Sequence, residues 1–112
     1  MDCVFCKIID GSIPSKKVYE DDKMVAFYDL EPQAPVHVLM IPKEHIACAD
    51  ELNEENSAYV AHIFSMVPEI AKKLGLKNGY RIVNNCGSDG CQSVFHLHFH
   101  LLGGKALSGQ MS

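Results

Sequence analysis

An α+β fold is what this sequence predicts: about five mainly antiparallel strands, one long helix and a short N-terminal helix. Three observations carry the prediction. Residues 94–102 read V-F-H-L-H-F-H-L-L, an alternation of period two that belongs to a strand. Residues 53–74 repeat their apolar positions at helical spacing, and no other stretch does so at that length. Elsewhere, short apolar runs stand between turn residues, as hairpin strands do.

The elements follow in order. Phe5, Ile8 and Ile9 give a short helical turn, which Gly11 ends and Pro14 keeps from resuming. Residues 16–20 form a strand and Asp21-Asp22-Lys23 its turn, with residues 24–29 as the hairpin partner. Glu31-Pro32-Gln33-Ala34-Pro35 is a loop, because its prolines cannot donate to a ladder. Residues 36–41 form a strongly apolar strand interrupted by His37 and closed by Pro42. In the long helix Asn53 serves as N-cap, with Glu54 and Glu55 in the positive first turn. Val60, Ile63, Phe64, Val67, Ile70, Ala71 and Leu74 make its apolar stripe. Lys72, Lys73 and Gly75 suit its end. Pro68 should kink or split it, and His62, off the stripe, reads as a solvated surface residue. Residues 80–85 add a strand, Gly87-Ser88-Asp89-Gly90 a loop, and Gly103-Gly104 ends the histidine strand. The whole chain reads as one domain, 1–112, with its core at about 3–104 and a polar tail at 105–112 that need not be ordered.

Composition narrows the class. The chain has 112 residues, 47% hydrophobic, with a net charge of -4, which suits one modest core. There is no basic stripe, so nucleic acid is not an expected partner. No apolar run approaches the ~20 residues of a membrane span. The opening Met1-Asp2-Cys3 has no signal-peptide pattern, so a cytoplasmic location is expected. Five cysteines in such a compartment are expected to be reduced. Cys48, Cys86 and Cys91 look isolated, whereas Cys3 and Cys6 form C-x-x-C, which points to metal or redox chemistry.

Half of the six histidines lie in one strand, at His96, His98 and His100. On a regular strand these imidazoles share a face, each ~7 Å from the next. Phe95, Leu97, Phe99 and Leu101 fill the positions between. Such a tract can bind metal adventitiously, but folding alone has no need of three imidazoles there.

Residues 92–104, Q-S-V-F-H-L-H-F-H-L-L-G-G, resemble the signature of the histidine-triad (HIT) family. They look most like its Hint branch of purine nucleoside phosphoramidases. Phe5-Cys6-Lys7-Ile8-Ile9, Phe27-Tyr28-Asp29, Pro32-Gln33-Ala34-Pro35-Val36-His37, Ile41-Pro42-Lys43-Glu44-His45, and Asn85 with Gly87-Ser88-Asp89-Gly90 fit the same branch. Two departures stand out: Cys91 replaces a glycine beside Gln92, and the tail lacks the Trp-Pro-Pro-Gly ending of eukaryotic relatives. The C-x-x-C start is more like bacterial members.

The resemblance implies a HIT-like fold and a nucleotide-binding hydrolase. His98 would attack the phosphorus of a nucleoside 5′-phosphoramidate, such as AMP joined to an amine or a lysine, and pass through a nucleotidyl-histidine. His37 would orient His98. His100 would donate to a phosphate oxygen, and Ser93 would reach the leaving amine or a phosphate oxygen. His96 would support the phosphate or bind metal. Asn85 and the backbone of Cys91, Gln92 and Ser93 would hold phosphate; Asn85 can equally be a turn residue. Asp29 would take the ribose hydroxyls, or simply cap a turn. Phe5, Ile8, Phe27 and Leu30 would line the base, or merely pack. Cys3, Cys6, His45 and His96 would hold a structural zinc. A dinucleoside polyphosphate hydrolase and a purine-nucleotide-binding regulator with little catalysis are the alternatives. The expected partners are AMP or GMP derivatives and a second copy of the chain as a homodimer.

Overall fold

The computed structural model describes residues 3–111 of the chain. Two helices and five strands follow one another as α1 (Val4–Ile9), β1 (Lys17–Glu20), β2 (Met24–Tyr28), β3 (Val36–Pro42), α2 (Ser57–Lys73), β4 (Tyr80–Val83) and β5 (Phe99–Gly103), with a 3-10 turn at Ala49–Glu51. The strands form one sheet in the order β1-β2-β3-β5-β4, and every neighbouring pair is antiparallel.

Period-two alternation explains how this sheet carries two cores. Met24 and Ala26 on β2, Val38 and Met40 on β3, and Phe99 and Leu101 on β5 turn to one face, where Ile63, Val67 and Ile70 of α2 cover them. Val25, Phe27, Leu39 and Ile41 turn to the other face and meet Phe5 and Ile8 of α1. Strand β3 is therefore buried on both faces, which is why its sequence runs apolar from Val38 to Pro42. Truncating Ile63, fully buried in the first cluster, to alanine should cost about 2–5 kcal/mol.

Several boundaries differ from expectation. The long helix begins at Ser57 rather than beside Asn53. Asn53 Oδ1 accepts from the Glu55 and Asn56 N–H groups, and Asn56 Oδ1 accepts from the Asn53 N–H. That interlocked turn uses the asparagine before the helix starts. Pro68 does not split the helix, which runs unbroken through it. Pro68 and Phe64, whose carbonyl loses its donor, both lie on the exposed side, where water can serve that carbonyl. The helix ends as predicted at Gly75, with φ +75°. His62 is not simply solvated: its Nε2 lies 2.6 Å from Asp21 Oδ2 and ties α2 to the β1–β2 turn. Burial alone would raise the Asp21 pKa. The donors His62, Lys23, Tyr19 and Met24 outweigh it and hold the carboxyl well below its usual range.

The largest correction concerns the histidine strand. Regular pairing covers only Phe99–Gly103, so His96, at the end of a bend over residues 94–96, and His98 precede it in irregular chain, and Phe95 is exposed rather than in the core. Leu97 still anchors the stretch, with its N–H on the Ile46 carbonyl at 2.6 Å. Residues 84–85 likewise fall outside β4. Part of the tail is held: Arg81 Nη2 donates to the Ser108 carbonyl at 2.5 Å. Of the expected loose tail, Ser112 lies outside the described residues.

Candidate active site and metal centre

The three triad imidazoles divide between two sites. His96 is fully buried, and its Nε2–H donates to the Pro42 carbonyl at 2.8 Å. A carbonyl can only accept, so the Nδ1 lone pair is left free. That atom faces Cys3 Sγ at 3.4 Å, Cys6 Sγ at 3.6 Å and His45 Nδ1 at 3.2 Å, and Cys6 Sγ lies 3.3 Å from His45 Nδ1. All four ligand atoms lie within 4.8 Å of one another. A tetrahedral zinc with N and S ligands needs ligand–ligand edges of about 3.3–3.8 Å. The donor set and its spacing fit zinc. Burial and the neighbouring Cys3 push the Cys6 thiol up to about 11, as befits a thiol that ionises when a cation takes it up. Cys3 also serves as N-cap of α1, its sulfur accepting from the Cys6 N–H at 3.3 Å.

The second group is His37, His98 and His100 with Asp29. Its tautomers follow from obligate donors and acceptors. His98 Nδ1 lies 2.8 Å from the His96 carbonyl, so Nδ1 carries the proton and Nε2 keeps its lone pair. His37 Nδ1 accepts from the Gln33 backbone N–H at 3.0 Å, so the neutral His37 carries its proton on Nε2. That proton is donated to His100 Nδ1 at 2.8 Å, which leaves His100 with an N–H at Nε2. Burial, then His98 and His37, push the His100 pKa down to about 4, and burial lowers that of His37. Both rings are therefore neutral at pH 7. Asp29 Oδ2 at 3.5 Å from His37 Nε2 is then no ion pair, and its Oδ1 accepts from the Glu31 N–H.

Asp29, His37 and His100 also lie close enough to suggest a metal, but their geometry argues otherwise. A 2.8 Å gap between two ring nitrogens is hydrogen-bond distance, and too short for two ligands of a tetrahedral ion. His37 would also have to give up the bond from Gln33.

These side chains open into a cleft of about 780 Å³. Phe5, Ile8, Phe27, Asp29, Leu30, His37, Ser93, His98 and His100, all singled out from sequence, line it. Phe5 stands edge-on to His98, with centroids 5.2 Å apart, while Leu30 is almost wholly exposed at 97%. Tyr28 of the Phe27-Tyr28-Asp29 motif lines the cleft as well, with Ile13, Ser15, Lys16 and Leu39, which no motif marks.

Other expected residues lie elsewhere. His37 bonds His100 rather than His98, whose partner is a backbone carbonyl no side-chain pattern could announce. Asn85, Cys91 and Gln92 are not among the lining residues. It is Asn84 that reaches the triad segment, donating to the His98 carbonyl at 2.9 Å. The Gln92 side chain is a brace: it accepts from the Gly87 N–H and donates to the Ala47 and Val94 carbonyls. Cys91 is exposed, with φ +61°, a conformation that explains why glycine suits that position.

The chain belongs to the HIT domain family, whose sequence model matches residues 10–107. An uncharacterized HIT-like protein of Synechococcus elongatus is 50% identical over 107 residues, covering 96% of this chain and 94% of that protein. A 14 kDa zinc-binding protein of Zea mays is 47% identical over 110 residues, covering 94% and 84%. Among solved structures, a histidine triad protein from Clostridium difficile superposes with a TM-score of 0.95 at 50% identity, covering 98% of this chain and 96% of that one. A HIT family hydrolase from Clostridium thermocellum gives 0.95 at 47%, covering 99% and 97%.

Proposed function

We propose that the protein is a purine nucleoside phosphoramidase, hydrolysing the P–N bond between a nucleoside 5′-monophosphate and an amine. The observation that carries this reading is the His98 ring: its Nε2 lone pair is fixed by the Nδ1–H bond to the His96 carbonyl, and the ring lines the open cleft. The likeness to a HIT family hydrolase supports hydrolysis at the coarse level.

The residues divide the work as follows. Phe5, Ile8, Phe27 and Leu39 offer an apolar slot for the base, and Asp29 a carboxylate for the ribose hydroxyls. His98 Nε2 attacks phosphorus and the P–N bond to the amine breaks. The leaving nitrogen takes the Ser93 hydroxyl proton. His98 becomes a nucleotidyl-imidazolium, whose charge the His96 carbonyl stabilises through Nδ1–H, as the third group does in other activated nucleophiles. His100 Nε2–H donates to a phosphoryl oxygen as charge develops there. His37 positions His100. Water then attacks phosphorus, returns a proton to Ser93, and frees His98 and the nucleotide. Zinc at Cys3, Cys6, His45 and His96 is structural, since four protein ligands leave no place for a reacting water.

Two further assignments belong to the same reading. A homodimer is supported by the open β4 edge and by exposed Phe64 and Tyr80, surfaces that gain from a partner; sedimentation at micromolar concentration should give twice the chain mass. A cytoplasmic location is consistent with reduced cysteines; no helix among the described residues is long and apolar enough to cross a membrane.

Release of the amine from an adenosine 5′-phosphoramidate tests the activity. Turnover that disappears in His98→Ala is expected. Cleavage of diadenosine polyphosphates with none of phosphoramidates would overturn the substrate class, and AMP binding without any turnover would overturn catalysis itself.

A further inference from the structure

Cys48 and Cys86, 38 positions apart in the numbering, are neighbours in the fold. The Gln92 carboxamide joins their segments: Nε2 donates to the Ala47 carbonyl at 2.8 Å while Oε1 accepts from the Gly87 N–H at 2.9 Å. These groups adjoin Cys48 and Cys86 in the chain. Cys86 is also held tightly from the loop side. A Cβ at Gly90 would meet the Cys86 carbonyl oxygen at 2.6 Å and its nitrogen at 2.8 Å, so the turn of residues 87–91 lies directly on the Cys86 backbone. The Gln92 N–H closes that turn on the Gly87 carbonyl at 3.0 Å. Both thiols are free and half-buried, so neither is sealed from solvent.

We propose that Cys48 and Cys86 are a redox modification site, forming a reversible intramolecular disulfide when the protein meets hydrogen peroxide. The bond would fasten loop 86–92 to the start of the 3-10 turn. Ser93 and Val94, which line the cleft, follow that loop directly. One cysteine sulfur attacks a peroxide oxygen, the O–O bond breaks, and a sulfenic acid and water result. The second sulfur attacks the sulfenic sulfur, the S–O bond breaks, and a second water leaves with the remaining thiol proton. Two thiols are oxidised and one peroxide is reduced to two waters. Burial, with the Cys86 thiol beside it, raises the Cys48 pKa, which suits Cys48 to the resolving step rather than the first attack. Cys3 and Cys6 differ from this pair because two histidine nitrogens complete their surroundings as a metal site.

The inference stands whether or not the phosphoramidase reading holds, because its readout is covalent. The full-length chain is treated with hydrogen peroxide, alkylated under denaturing conditions and mapped by mass spectrometry without reduction. A linked peptide pair carrying Cys48 and Cys86, released by dithiothreitol and absent in Cys48→Ser and Cys86→Ser, is expected. Sulfinic acid at either cysteine without a link overturns the proposal. So does a map in which only Cys3–Cys6 or intermolecular Cys91 links form. The wild-type map alone decides the matter should a serine variant fail to fold.

Discussion

Around Phe5 one residue type serves two different ends. The His96 and His98 rings stand 5.9 and 5.2 Å from the Phe5 ring, both edge-on. His96 directs a free Nδ1 at two sulfurs and the His45 Nδ1, each 3.2–3.6 Å away. His98 directs a free Nε2 at an open cleft. The difference lies in which ring nitrogen a backbone carbonyl occupies: Pro42 takes Nε2 of His96, and His96 takes Nδ1 of His98. Second partners of this kind fix an imidazole's tautomer and so its chemistry. The two clusters also share a residue. The ring of His96 belongs to the Cys3–Cys6–His45 cluster, while its carbonyl holds a ring of the cleft, so fixing the ring also places the acceptor that His98 uses.

Variants can pull the clusters apart. The largest effect is expected from His98→Ala: phosphoramidate turnover falls by about 10³-fold or more, with zinc content unchanged. Loss of zinc from this variant would show that the clusters are not separable. Cys3→Ala should do the reverse. Zinc content falls, and stability drops by about 2 kcal/mol or more, roughly 8–16 °C in Tm, visible by calorimetry with metal analysis. His37→Ala is expected to lower kcat by about 10²-fold through misplacement of His100, leaving zinc in place.

A smaller effect comes from pH. Unfolded imidazoles take up protons near pH 6.5, whereas His100 in the fold resists until about 4, and His37 is shifted the same way. Between these values the unfolded chain binds more protons, so stability falls as pH drops from 6.5 toward 4 and is level above. Tm against pH should show a shallower slope in His100→Gln than in the parent. An identical slope would mean that His100 titrates normally. Smallest of all, His62→Gln should cost about 1 kcal/mol or less, since its bond to Asp21 is partly exposed, and should leave turnover untouched.

Much of the fold was legible because its signals are local. The apolar runs in residues 24–28 and 36–42 and the stripe Ile63, Val67, Ile70 each predict an element on their own. The triad likewise marked His98 and His100, and the C-x-x-C marked Cys3 and Cys6. What sequence could not show was set by distant backbone. The helix start shifted because Asn53 and Asn56 bond each other. The strand shortened because the chain before Phe99 departs from the ladder, tied at Leu97 to Ile46 and at His96 to Pro42. The expected pairing of His37 with His98 failed for a similar reason, since the His96 carbonyl already holds His98 and β3–β5 register sets His37 diagonal to His100. Gln92 was marked only for its backbone, and nothing in its position announced that its carboxamide braces Ala47 and Gly87. Cys48 and Cys86 looked isolated because no spacing links residues brought together by a third side chain.

Intact-mass analysis of the wild-type protein, quenched in alkali within one turnover of an adenosine phosphoramidate, addresses the central claim most directly. A gain of one nucleotidyl group, mapped to Nε2 of His98, is the predicted result. A nucleotidyl group on His100 or His37, or full product release with no adduct on any histidine, would contradict it.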